Sequence, residues 1–482
     1  MYCLPLLSLV FLPFFHITAA DQLPVQLLMH LDLKGAPPKV SYLRKLFPFL
    51  KDLGIRGLLI EYEDMFPYQH PLVRPIATAS AYTLTELRTI LSMSKAHGLS
   101  VIPLVQMFGH LEHVLKLPQF HHMSEIPHHG YSICPSRCKA IELLKTILDE
   151  IASLHYDAQY VHIGCDEVFA MRKCLMCRKK AAPSGRREEH HIFLEHVLTM
   201  ARYLKDTHGK QAIVWDDMLR QIPESDIAAS GITEYVDIMV WEYTTNVSAL
   251  SNVWDKYSKL FKKQAWIATA FKGADGRSRK YPVLNKRLAN HAGWNKFIQR
   301  STSGWNITGL VLTGWARYTH TMPLCELLPV GLPSLVLCAM YLLVGTRTSD
   351  PRQMAVEKAS EFLKCPLLLN VTAVQGENCQ FPGVEIVRGI AYLEKLKQEV
   401  DDAFSAPKCT GNRRHTCVHM VPEEYYLSRS ASLESQLTDD LSAIFSPYTV
   451  HEWMASNVQP LFIALRSYTV GRVDTKHQVH SA

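Results

Sequence analysis

The chain predicts an α/β fold, a closed (β/α)8 TIM barrel with a C-terminal helical extension, and three observations point there. Short runs that are apolar throughout alternate with helical patterns from residue 24 to about residue 345, as strands buried on both faces do. Eight such runs can be counted, and seven of them end in acids, histidines or tryptophans. After the first run stands Gly35-Ala36-Pro37-Pro38, which is no phosphate-binding loop, so an open doubly wound sheet is the weaker alternative.

In order, Pro24 to Leu33 is a strand passing Asp32, followed by a helix near Ser41 to Leu53. Ile55 to Glu61 is the second strand, with Glu61, Glu63 and Asp64 clustered at its end. Thr83-Leu84-Thr85-Glu86 opens the next helix as a capping box, and Gly98 stops it. Val101 to Met107 then runs into Gly109-His110. Beyond a loop rich in His and Pro, a helical apolar period covers Arg137 to Leu154.

Next comes Val161-His162-Ile163-Gly164-Cys165-Asp166-Glu167, an apolar run that ends in two adjacent carboxylates. As a continuous strand it would set His162, Gly164 and Asp166 on one face and Glu167 at the exit lip. Taken alone, the dipeptide reads more readily as a turn that caps the next helix, and the rest of the chain has to overturn that reading. A helix from about Glu189 to Thr207 leads to Ala212–Trp215, which ends in Asp216-Asp217. Val236 to Trp241 runs into Glu242-Tyr243, Ala265 to Phe271 into Lys272-Gly273, and Ile307 to Thr313 into Gly314-Trp315. The apolar run Leu327 to Val344 contains Pro329, Gly331 and Pro333 and reads as a closing helix rather than a membrane span. The expected domains are a signal segment at 1–20, a catalytic barrel at 21–346 and a helical extension at 347–482.

A length of 482 residues, 48% hydrophobic and 20% charged, describes a globular protein with a real core. The formal charge of +6 is small for that length, and no basic stripe with interleaved aromatics is present, which excludes nucleic acid as the expected partner. Residues 1–20 are apolar and end in Thr18-Ala19-Ala20, as a secretory signal would, although a basic start is missing; membrane attachment would come only through this segment, left uncleaved. Cys165, Cys325 and Cys338 sit in apolar patterns. Cys134, Cys138, Cys174, Cys177, Cys365, Cys379, Cys409 and Cys417 lie in polar segments, an even number that suits disulfides after export. Cys134-x3-Cys138 with Cys174-x2-Cys177 also has the spacing of a zinc site, the less favoured reading beside a signal-like start. Asn246, Asn306 and Asn370 open glycosylation sequons.

Collected at one rim, Asp32, Glu61, Glu63, His110, Asp166, Glu167, Trp215, Asp216, Trp241, Tyr243 and Trp315 combine acids and flat aromatic faces. A sugar site requires both, carboxylates for hydroxyls and protons and indoles for stacking on the ring. An ionised acid also makes its neighbour harder to ionise, one way to prepare a general acid at Asp166-Glu167.

His162-Ile163-Gly164-Cys165-Asp166-Glu167 resembles the His-x-Gly-x-Asp-Glu signature of family 20 β-N-acetylhexosaminidases, and His110 after Gly109 matches a second feature of that family. The blocks HLDLKGAPPKVSYL, LLIEYEDMFPY, VIPLVQMFGH, HIGCDEVF, VWDDMLR and LTGWARY extend the resemblance across residues 24–345 and are similar to its hexosaminidase D branch. The resemblance implies exo-hydrolysis of terminal, non-reducing β-linked N-acetylgalactosamine or N-acetylglucosamine from glycoconjugates, with no cofactor and no metal. It also implies substrate assistance, in which the sugar's own acetamido carbonyl attacks the anomeric carbon. Asp166 would then orient the acetamido N–H, Glu167 would act as acid and then base, and His110 and His162 would hold the pair. Trp215, Trp241 and Trp315 would line the pocket, Tyr243 would polarise the acetamido carbonyl, and Asp32 and Asp216 would help bind the sugar.

Departures accompany the match. Asp32-Leu33-Lys34 stands where classical members carry Asp-x-x-Arg, and Trp315-Ala316-Arg317 where they carry Trp-x-Glu. The hexosaminidase D branch is cytoplasmic and nuclear, whereas the N-terminus, sequons and cysteines here argue for a secreted or lysosomal protein. A catalytically silent carbohydrate-binding protein of the same fold, or a hydrolase with its own carboxylate nucleophile, are the rival readings.

Overall fold

The structure is a computed structural model describing residues 25–126, 129–180, 187–261, 264–301, 305–344, 348–367, 369, 378–405 and 423–466. The signal-like segment, Cys409, Cys417 and Asn370 lie outside the described residues. The strands are β1 (Gln26–Asp32), β2 (Gly57–Glu61), β3 (Ser100–Leu104), β4 (Ser124–Ile126), β5 (His129–Ile133), β6 (Tyr160–His162), β7 (Gln211–Trp215), β8 (Val236–Trp241), β9 (Gln264–Lys272) and β10 (Asn306–Gly314). Eight of them close a parallel barrel in the order β1-β10-β9-β8-β7-β6-β3-β2. Closure comes where β1 pairs with β10, Gln26 opposite Gly309 and Met29 opposite Leu312.

Local sequence explains the elements. Thr83 caps the helix Leu84–Ala96, its hydroxyl accepting from Glu86 N while the Glu86 carboxylate accepts from Thr83 N, the reciprocal box that the sequence predicts. The helix Glu188–His208 ends where Gly209 adopts φ +67°, a conformation that costs glycine little. Apolar side chains split into two groups. Leu28, Leu59, Leu104, Met239, Trp266 and Val311 belong to the cluster inside the barrel. A larger one fills the layer between strands and helices, so the barrel is packed solid below its mouth.

Leu328–Val344 is a buried helix beside Leu284–Ser301 and Pro351–Leu363, and no described helix is long and apolar enough to cross a membrane. Pro351–Leu363 and the helices Val384–Ser405, Glu423–Ile444 and Pro447–Asn457 follow the barrel as its helical C-terminal region. It returns to the barrel's mouth: Lys39 N donates to Ile444 O, Thr449 Oγ1 to Gly35 O, and Arg317 pairs with Glu452 at 2.8 Å.

Three sequence expectations need correction. The run ending in Asp166-Glu167 is a strand only to His162, because Gly164 (φ 64°), Cys165 (φ 69°) and Glu167 (φ 47°) adopt left-handed conformations that end the ladder. The acids therefore sit on a folded loop, and no strand alternation orders them. The His- and Pro-rich loop contains a hairpin, β4 against β5. Among the described cysteines only Cys365–Cys379 is a disulfide; Cys134, Cys174 and Cys177 are buried together as thiols, and Cys138 is exposed.

Candidate active site

Seven of the ten residues expected at the site line one cavity of about 260 Å3 at the carboxyl ends of the strands: His110, Asp166, Glu167, Trp215, Trp241, Tyr243 and Trp315. Lys34, Glu61, Gln106, Arg317 and Tyr318 also face it. A larger cavity, about 1040 Å3, opens at the opposite rim, where a barrel's residues serve stability. Asp157 there pairs with exposed Lys95 at 2.7 Å.

His110 stands between the two acids. Its Nε2 lies 3.3 Å from both the Asp166 and the Glu167 carboxylates and 3.0 Å from the Tyr131 hydroxyl, which approaches Glu167 at 3.5 Å. Burial works against a charged imidazole, but the adjacent Asp166 carboxylate and the hydrogen bonds to both acids hold its pKa well above the usual histidine value. A cation thus lies between the carboxylates at neutral pH. Gln106 fixes Asp166 from the other side: its Nε2 donates to Asp166 Oδ1 at 3.3 Å, and its Oε1 accepts from Cys165 N at 3.3 Å. Gly164 is obligatory at this point, since a Cβ there would land on the Gln106 carboxamide. His110, Cys165 and Glu167 are all non-glycine residues with positive φ. Each such conformation costs about 1–3 kcal/mol, a strain that accumulates where function demands it.

The floor and walls are aromatic. Trp215 and Trp315 have ring centroids 6.0 Å apart, Trp241 and Tyr243 5.1 Å, and Tyr243 and Trp315 6.4 Å. Burial raises the Tyr243 phenol's pKa, so it keeps its proton at neutral pH.

Three expected residues sit elsewhere. His162 is fully buried behind Trp215, 4.3 Å between ring centroids, accepting from Gly164 N; burial lowers its pKa to about 3, so it is neutral. Asp216 turns away from the cavity into a two-pronged pair with Arg220, at 2.8 and 2.7 Å. Asp32 accepts from Ala316 N and Lys34 N and lies 3.2 Å from the Lys34 ammonium. These three support the walls.

Residues absent from the expectation take part instead. Asp217, not Asp216, reaches the reacting pair, with its carboxylate accepting from Glu167 N (2.9 Å) and Trp241 Nε1 (3.2 Å). Burial, and then repulsion by Asp166, push its pKa up to about 7. The repulsion between neighbouring acids that the sequence suggested is felt here. Lys34 lies 3.0 Å from Glu61 and 3.5 Å from Glu63 besides Asp32, and 5.5 Å from the centroid of Trp315. Tyr131 had no signal, because nothing in its loop announced β5.

Comparison with known proteins agrees with this geometry. Residues 62–318 match the family model described as glycosyl hydrolase family 20, catalytic domain. Hexosaminidase D of Homo sapiens is 36% identical over 458 residues, 90% of this chain and 91% of the human protein. Hexosaminidase D of Bos taurus is 38% identical over 323 residues, 66% of this chain and 92% of the bovine one. A crystal structure of a beta-N-acetylhexosaminidase superposes with a TM-score of 0.53 at 16% identity, covering 74% of this chain and 80% of that one, a likeness of fold. Barrel, acid pair and matches together define a glycoside hydrolase. This chain belongs to glycosyl hydrolase family 20, and its activity is that of a β-N-acetylhexosaminidase.

Proposed function

We propose that the chain acts from the non-reducing end, releasing terminal β-linked N-acetylgalactosamine or N-acetylglucosamine from glycoconjugates by a substrate-assisted, retaining route. The supporting observation is that both carboxylates lean on one His110 nitrogen beside a small cavity walled by three indoles. Such a cavity suits one ring rather than a polymer threaded through it.

In this reading Trp215, Trp241 and Trp315 hold the sugar face and the acetamido methyl, and Asp166 accepts the acetamido N–H. The acetamido carbonyl oxygen bonds to the anomeric carbon while Glu167 gives its proton to the departing glycosidic oxygen. The positive oxazolinium ring so formed is balanced by Asp166. Tyr243 supplies a phenolic proton to the acetamido oxygen in the resting complex. Water then attacks the anomeric carbon, Glu167 takes its proton, and the ring opens to the product with its configuration kept. Lys34 faces the cavity where classical members have an arginine, and it serves the outer hydroxyls with a single compact charge rather than a fork.

The test is a panel of chromogenic β-glycosides with and without the 2-acetamido group, alongside a thiazoline mimic of the cyclic intermediate. Cleavage confined to the acetamido sugars together with inhibition by the thiazoline is the expected result. Equal cleavage of a plain β-glucoside or β-galactoside would overturn the assisted route.

A further inference from the structure

We propose that Glu125, Cys134, Cys174 and Cys177 form a zinc(II) site that ties the β4–β5 hairpin to the loop carrying Asp166 and Glu167. Glu125 lies on β4, Cys134 directly follows β5, and Cys174 and Cys177 close the loop that begins at the acids. One ligand atom from each of the four falls within 4.8 Å of all the others. The Cys134 sulfur is 3.2 Å from that of Cys174 and 3.4 Å from that of Cys177. All four residues are buried.

Three sulfurs and a carboxylate are a donor set for a borderline-soft, four-coordinate cation, and the thiolates disfavour calcium and magnesium. Zn–S bonds of about 2.3 Å set tetrahedral sulfur separations near 3.8 Å, so loading spreads the cluster only slightly. The outer contacts are already arranged. Cys177 N donates to the Cys174 sulfur at 3.3 Å, and the Ser136 hydroxyl lies 3.1 Å from the Cys177 sulfur. Glu125 Oε1 accepts from Lys173 N and Cys174 N, while Oε2 is buried without a hydrogen-bond partner. A disulfide, at about 2.05 Å, joins only two sulfurs and leaves the third and that oxygen unserved. A cation engages all four. On binding, the three thiols release their protons to solvent.

The site would have a purpose within the enzyme. Tyr131, on β5, contacts both His110 and Glu167, so the clamp fixes that hydroxyl against the reacting pair.

The experiment is zinc analysis of the full chain, purified without chelator or histidine tag, together with cobalt(II) exchange read by absorption. About one zinc per chain is expected, with cobalt bands of a tetrahedral site rich in thiolate. Cys177→Ser and Glu125→Gln should each lower zinc retention at least about tenfold under dialysis, whereas Cys138→Ser, altering an exposed thiol outside the cluster, should retain it. Because Cys177→Ser can also disturb folding, the wild-type cobalt spectrum stands as the independent measure. A wild-type chain that holds neither zinc nor cobalt, or a peptide map showing Cys134 bonded to Cys174 or Cys177, overturns the proposal.

Discussion

Two acid clusters share the rim of this barrel and differ in what neutralises them. Asp32, Glu61 and Glu63 surround the buried ammonium of Lys34, with His30 3.3 Å from Glu61. Burial would raise the Glu61 pKa, yet Lys34 and His30 hold it well below the usual carboxylate range. Among the described residues no lysine or arginine makes an ion pair with Asp166, Glu167 or Asp217; His110 pairs with the first two, and the Glu167 side chain is 40% exposed. An acid pinned by a permanent buried cation is scaffold. An acid facing a titratable imidazole and an open cavity can move a proton. Gln106 touches both clusters, 3.5 Å from Glu61 and 3.3 Å from Asp166, so the rigid cluster sets the position of the reactive one.

The sharpest way to break this contrast is Glu167→Gln, which keeps shape and removes the transferable proton. Its kcat on an aryl N-acetylhexosaminide should fall by roughly 10²- to 10⁴-fold with the urea midpoint nearly unchanged. Retained activity would dissolve the distinction between the clusters. Lys34→Met tests the other side. It removes the cation shared by three buried carboxylates, leaving them only their histidine and backbone partners, and should cost about 3–5 kcal/mol in urea denaturation; a loss below about 1 kcal/mol would mean that the cluster is not held by its cation.

Titration sharpens the comparison next. Folded Asp217 keeps its proton up to about pH 7, whereas unfolded it ionises near pH 3.9. The folded state therefore binds more protons across that interval, and this residue's contribution to stability declines as pH rises from about 4 to about 7. Asp217→Asn should flatten that decline in melts run across the window; an unchanged slope would assign the effect elsewhere. The smallest expected effect is that of Tyr131→Phe. Loss of one hydrogen bond to His110 is worth about 1 kcal/mol, or roughly a fivefold lower kcat with the alkaline limb of the pH profile moved. An identical profile would make the hairpin a bystander.

The barrel was legible because strands buried on both faces write themselves as unbroken apolar runs, and the cavity because its residues follow directly at the strand ends. What sequence could not supply was rotation past those ends. Asp216 and Asp217 are adjacent, and a short 3-10 turn from Asp217 to Gln221 decides which one meets Glu167. Asp32 reads as a sugar contact and Lys34 only as a departure from Asp-x-x-Arg, and the convergence of Glu61 and Glu63 from another strand shows the closed cluster. Tyr131 lay hidden because the five residues of β5, His-Gly-Tyr-Ser-Ile, paired with the three of β4, carry no periodicity to detect. The cysteines of the His-rich region and of the loop after the acids suggested pairing, yet spacing says nothing about Glu125, which replaces Cys138 as the fourth member of the cluster.

The three indoles of the cavity come from β7, β8 and the end of β10, and β10 sits between β9 and β1, so the barrel closes only when it docks on β1, nearly 300 residues earlier in the chain. A half-made barrel consequently has no sugar pocket, however complete its acids are. Recovery of ligand-sensitive tryptophan fluorescence during refolding should therefore lag the return of helical signal, timing the moment at which the first and last strands meet.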